Sequence, residues 1–348
     1  MERNICIFIG ARPNFIKVAP IIHAIRKTQG MHFLLVYAGS KEDPTLEPSL
    51  MDDLQIPSPD VFLGVDCVNL NELTGRVMTE FESCLDAHAV DTVIVVDDLA
   101  STMAAAIVAK KRGLRLAHLV AGTRSFDISM PKEINRLVID GLSDMLFTAG
   151  IGSSSIATRE GADSCKIYMV GNILMDTLRM NHSRWKQPSC APEGDYLVFT
   201  LNRRALMADE KHLFQMLDVV ADGADKIPVV APLRGRAREL VEKHGRLHVV
   251  DPLPYLEFGW LAAHARGIIT DSGNVAEEAT FNHVPCITLN SYTEHIETVK
   301  QGTNVLVGED TKLLSAALHD MVAGQWKRSS LPDRWDGRTA ERIVKILS

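Results

Sequence analysis

Residues 4–20 read NICIFIGARPNFIKVAP. An apolar run over 4–9 gives way at Gly10 to a stretch that opens a helix. A strand that is apolar throughout is one buried on both faces, as in a parallel sheet covered by helices. Gly10 permits the tight turn between strand and helix. Arg12 and Lys17 then set two cations beside the positive end of a helix, where a phosphate is well placed. Taken alone, the same two residues fit the surface of a helix equally well. A GxGxxG fingerprint is absent, so the turn does not favour NAD.

The same unit recurs along the chain. Apolar runs at 33–37, 92–96, 116–120, 145–148 and 167–170 alternate with helical patterns such as 20–27 and 101–111. A second set follows at 196–200, 228–231, 247–251, 267–270 and 285–289. Between the sets, 182–195 holds two prolines, a glycine and a cysteine among polar residues, and reads as a linker or surface loop. Strands spaced by helices predict an α/β protein with two Rossmann-like domains, their parallel sheets facing a central cleft. The expected division is 1–171 and 172–334. Ligand is expected at the carboxyl ends of the strands.

With 348 residues, two domains are favoured over one. A net charge of −7 gives no global case for nucleic acid or an anionic membrane. No run approaches the ~20 apolar residues of a membrane helix. The opening MERNICIFIG reads as a first strand and not as a signal peptide. Six scattered cysteines without a CxxC pair read as reduced thiols of a cytoplasmic protein. No metal-ligand pattern and no cofactor motif is evident.

The second strong signal is TDSGNVAEEA at 270–279. A strand ends at Asp271, Ser272 and Gly273 form the turn, and a helix follows. A serine hydroxyl and exposed N–H groups there suit a diphosphate, and Glu278 can accept hydrogen bonds from a ribose diol. The plain alternative is an ordinary helix cap followed by solvent-facing glutamates. Six segments now stand in one order: GARPNFIK (10–17), HLVAGTRSFD (118–127), MPKEINR (130–136), LNRRAL (201–206), TDSGNVAEEA and GTNVLVG (302–308). DPLPYLEF (251–258) and VGNILMD (170–176) accompany them. Over nearly its whole length the chain resembles the non-hydrolysing UDP-N-acetylglucosamine 2-epimerase family, which has the GT-B architecture.

That resemblance implies a nucleotide sugar as ligand, with no separate cofactor. It implies that Arg12, Lys17, Ser272, Gly273 and Glu278 hold UDP, with Arg124, Asn202, Arg203 and His295 completing the set. His295 stands where the family has an arginine of TERPE, and Asn274 replaces a glycine. The resemblance further implies a homodimer, and a C-terminal helix near 335–348 that packs back on the first domain.

The chemistry implied by the family is loss of UDP to a glycal-type intermediate and its re-addition. That needs a carboxylate for the C2 proton and stabilisation of the departing diphosphate. Of four family positions, Asp98 alone is kept. The Glu of HxEAG is Val120, the first Glu of PEExNR is Lys132, and the His of HRRE is Asn202. Asp97 and His118 are candidate substitute acid or base groups. Their plain alternative is loop packing and a buried structural histidine. The regulatory TGQH and PxHP motifs read AGSK (38–41) and PLRG (232–235). Three functions stay open: a family enzyme with C2 epimerisation or variant elimination or hydrolysis, a GT-B glycosyltransferase, and a non-catalytic UDP-sugar binder.

Overall fold

The computed structural model describes residues Glu2–Ser348. They divide into two compact units: residues up to Met180 with Asp333–Ser348, and Asn181–Pro332. In the first, strands β1 (Arg3–Ile9), β2 (Met31–Tyr37), β3 (Val61–Phe62), β4 (Thr92–Val96), β5 (Arg115–Ala121), β6 (Met145–Thr148) and β7 (Ile167–Met169) form one sheet. Its order is β3-β2-β1-β4-β5-β6-β7, and its pairings are parallel. Helices α1 (Arg12–Arg26), α2 (Leu50–Leu54), α3 (Leu70–Ala87), α4 (Ala100–Lys111), α5 (Pro131–Leu142), α6 (Ile151–Arg159) and α7 (Ile173–Asn181) connect and cover it.

The second unit repeats the plan. Strands β8 (Leu197–Phe199), β9 (Val229–Pro232), β10 (His248–Val250), β11 (Gly267–Thr270), β12 (Cys286–Thr288) and β13 (Asn304–Leu306) run in the order β10-β9-β8-β11-β12-β13. Its helices are α8 (Arg204–Ala208), α9 (Glu210–Gly223), α10 (Gly235–His244), α11 (Tyr255–Ala263), α12 (Gly273–Phe281), α13 (Ile296–Lys300) and α14 (Thr311–Val322). The last helix, α15 (Thr339–Leu347), belongs to the first unit. Each sheet reverses its strand order once, between β1 and β4 and between β8 and β11. Loops diverge at such a point and leave a crevice at the carboxyl ends of the strands. The turns after these four strands are therefore where each unit can hold a ligand.

The division falls after Met180, one helix later than the seam expected at 171/172. The reason lies in α1. Pro20 sits inside that helix and has no N–H, which frees the carbonyl of Ile16 one turn earlier. The hydroxyl of Thr177, on α7, donates to that carbonyl at 2.6 Å. Next to it, Asp176 accepts the N–H groups of Thr339 and Ala340 at 3.0 and 2.8 Å, at the start of α15. Helices α1, α7 and α15 are thus stitched together. Two outer strands, β3 and β13, were not among the expected runs.

Burial lifts the Asp176 carboxyl to about 6, against the pull of its two N–H donors. A raised folded value means that the folded state holds the proton more tightly. That gain is complete below the unfolded value of 3.8 and is lost as pH rises through about 6. Asp176→Asn has no such loss. Between pH 4 and 7.5 its stability relative to the parent should improve by about 1–2 kcal/mol in urea titrations. A constant difference across that range would refute the assignment.

Candidate nucleotide-sugar site

The first unit gathers its expected residues around the ends of β1, β4 and β5. At the β1 turn, the side-chain oxygen of Asn14 accepts the N–H groups of Gly10 and Ala11 at 3.0 and 3.2 Å. Its amide donates to Asp97 Oδ2 at 2.7 Å. The buried Lys17 donates to Asp97 Oδ1 at 2.7 Å. Arg12 is not a free cation: it forks onto Glu47 at 2.6 and 2.5 Å. The sequence reading missed Asn14 and Glu47. An asparagine four residues after the turn glycine was the available signal for the first; nothing local marked the second.

Asp98 is buried and paired. Arg136 Nε and an Nη atom lie 2.9 and 2.5 Å from its Oδ2, and Lys132 Nζ lies 3.4 Å from Oδ1. Burial pushes this carboxyl up, but Lys132 and Arg136 together outweigh it and hold it below the usual carboxylate range. Lys132 therefore acts directly on Asp98. Glu133 is also occupied. It accepts the N–H groups of Ser125 and Phe126, the Ser125 hydroxyl and Arg136. Those donors overcome its burial and keep it ionised.

His118 lies inside the sheet and is 1% exposed. Its Nδ1 is 2.6 Å from Asp140 Oδ1, and its Nε2 is 2.9 Å from the carbonyl of Asp97. Both ring nitrogens face acceptors and neither opens to a ligand. Of the two readings open for His118, this geometry matches the buried structural histidine and not the substitute acid or base. Arg124 is paired as well. It is buried, lies 2.7 Å from Asp140, and forks onto Glu160 at 2.9 and 2.5 Å. Its cation is paired with Asp140 and Glu160 within the fold.

Three non-glycine residues on these loops have left-handed backbone: Asp97 (φ +59°), Val120 (φ +72°) and Phe126 (φ +61°). Val120 lies at a register shift in β5. A β-branched residue is badly suited to that region, which persists only where the surroundings impose it. Val120→Gly should therefore raise stability by about 1 kcal/mol, read as a rise in melting temperature. A fall would mean that the valine side chain contributes more by packing than its backbone loses.

The second unit builds its turn around Asp271. The Asp271 carboxylate accepts the N–H groups of Asn202 and Arg203 at 2.7 and 2.5 Å, tying the loop after β8 to the loop after β11. Burial raises this carboxyl despite those donors. Ser272 caps α12, its hydroxyl accepting loosely from the Val275 N–H at 3.5 Å. Gly273 opens that helix, and a Cβ there would meet nothing within 4 Å, so the helix terminus has room above it. Glu278 is buried one turn further on. Arg203 donates to Asn290 at 3.2 Å, while the Asn202 side chain is exposed. His295 sits 3.3 Å from the buried Glu277.

These turns, at the strand-order reversals of two parallel sheets, can be set against known proteins. The sequence profile described as UDP-N-acetylglucosamine 2-epimerase matches residues 23–348. The chain belongs to that family. It is 32% identical to the UDP-N-acetylglucosamine 2-epimerase of Methanocaldococcus jannaschii, over 99% of both chains. It is 34% identical to the UDP-2,3-diacetamido-2,3-dideoxy-D-glucuronate 2-epimerase of Pseudomonas aeruginosa, over 88% of each. The crystal structure of the Methanocaldococcus enzyme in complex with UDP-GlcNAc and UDP superposes with a TM-score of 0.89, at 30% identity and 99% coverage of each chain. This family member thus has the GT-B plan of two Rossmann-like domains. Among its described residues no helix is long and apolar enough to cross a membrane.

Proposed function

We propose that the protein binds a UDP-sugar and transfers the C2 proton far more slowly than an epimerase does. The open Ser272–Gly273 helix terminus supports the diphosphate end of this reading, with Glu278 for the ribose. Lys17 supplies a buried cation at the other turn. The observation that carries the chemical half is Asp98. The one retained acid is clamped by Arg136 and faces Lys132, so it is a poor proton acceptor. Asp97 is held by Lys17 and Asn14, and Val120 has no proton chemistry.

The test is one NMR tube of protein with UDP-GlcNAc in D₂O. Line broadening of the nucleotide is expected, with C2 deuteration and free UDP building up only far more slowly than an epimerase gives. Deuteration at C2 at the pace of an epimerase would overturn the slow-transfer half. No broadening at all would overturn the choice of nucleotide sugar.

We further propose a homodimer through the first unit. On helix α5, Glu133, Asn135 and Arg136 are buried along with Ile139, while Ile134 and Leu137 are exposed, as are Phe126 and Ile128 on the preceding loop. Such an apolar surface is covered in most folded proteins. Light scattering should give twice the chain mass, and Leu137→Glu should return it to one.

A further inference from the structure

The turn joining Asp97 to Asp98 is held in a backbone conformation that its own residues disfavour. Asp97 has φ +59°, and four hydrogen bonds keep it there. Its N–H donates to the Leu119 carbonyl at 3.2 Å. Its two carboxylate oxygens accept from Lys17 and Asn14, both at 2.7 Å. Its carbonyl accepts from His118 Nε2 at 2.9 Å. A carbonyl only accepts, so Nε2 carries a proton. The other ring nitrogen is set against the Asp140 carboxylate at 2.6 Å.

Asp140 is itself fixed. It lies 2.7 Å from Arg124 and accepts the Gly122 N–H at 3.1 Å. The His118 ring, 1% exposed, therefore cannot turn without breaking bonds at both ends. Its hold on the Asp97 carbonyl fixes the peptide plane between Asp97 and Asp98. That plane sets where the Asp97 carboxylate lies, and the carboxylate sets where the Lys17 ammonium lies.

We propose that His118, braced by Asp140, is a positioning residue. It locks the Asp97–Asp98 peptide and, through Asp97, places the Lys17 ammonium for an anionic ligand. The first half stands on the geometry of this unit alone; the second rests on the nucleotide-sugar reading.

Two variants of the full chain separate this role from general packing. His118→Asn puts an amide near the Nδ1 position, so the Asp140 contact can survive while the Asp97 carbonyl loses its donor. His118→Gln puts an amide near the Nε2 position and keeps that donor. Calorimetric titration with UDP should show His118→Asn binding about 10-fold weaker than the parent, the worth of one buried hydrogen bond. His118→Gln should bind within about threefold of the parent. Amide hydrogen exchange at Asp97 and Asp98 should quicken by about 10-fold in His118→Asn only.

Equal losses in both variants, following their melting temperatures, would make His118 a packing residue and overturn the proposal. Unchanged exchange in His118→Asn would overturn it too. If the parent does not bind UDP, the nucleotide-sugar reading fails by itself, and the exchange rates still decide whether His118 is the lock.

Discussion

Arg136→Met is expected to destabilise the protein by about 3–5 kcal/mol, the range for leaving a buried charge without its partner. The Arg136 side chain is 2% exposed, donates twice to Asp98 and contacts Glu133 at 3.0 Å. Methionine fills most of the volume and none of the charge. Lys132 remains for Asp98, and the Ser125 and Phe126 donors remain for Glu133, so the lower end of the range applies if both relax. The defect should depend on pH with a known sign. Asp98 and Glu133 are held below their ordinary values of 3.8 and 4.5 in the folded protein. Their contribution is therefore present above those values and is lost as pH falls through the lower, folded ones. The parent loses it in acid and the variant has little to lose, so the two stabilities should converge below about pH 4. Urea unfolding at pH 7 and pH 3.5 measures both effects. A defect under 1 kcal/mol at pH 7 would show that the cluster reorganises around the missing guanidinium.

Restoring Val120→Glu, Lys132→Glu and Asn202→His together should raise C2 deuterium exchange by about 10²-fold or more, the contribution of a positioned general base. Two effects combine. Glutamate at 120 supplies a carboxylate on a backbone already held in the left-handed conformation. Glutamate at 132 also removes a cation from beside Asp98, which lets that carboxyl rise toward its ordinary value and become a better proton acceptor. Losses within one catalytic unit do not multiply, so the single changes should each give little. The assay is C2 deuteration by NMR with UDP binding followed in parallel. A triple variant that binds UDP without faster exchange would show that these positions do not present their side chains to the sugar.

The alternation of apolar runs and helical patterns was enough to read two parallel sheets, because such strands are buried on both faces and carry an unbroken apolar signal. The turn residues were legible too: Gly10, Ser272 and Gly273 follow strand ends by local rule, and Lys17 lies on the helix after the first of these turns. What the reading could not supply was which charges cancel. Arg12 and Glu47 are 35 residues apart, Arg124 and Glu160 36, and Asp98 and Arg136 38. No local pattern announces such pairs. Local pattern therefore leaves Arg124 looking like a ligand residue, and leaves His118 open between an acid or base and a buried structural histidine.

The sequence by itself determined the architecture, the family and the turns at the strand ends, since strand burial, turn glycines and helix starts follow from residues near one another in the chain. Only the tertiary structure decided the state of the charged side chains. It showed that Asp98 is clamped by Arg136 and Lys132, that Arg124 balances Asp140 and Glu160, and that His118 braces a backbone carbonyl. A charge's chemistry is set by the groups within a few ångströms of it, and in this protein those groups come from distant parts of the chain.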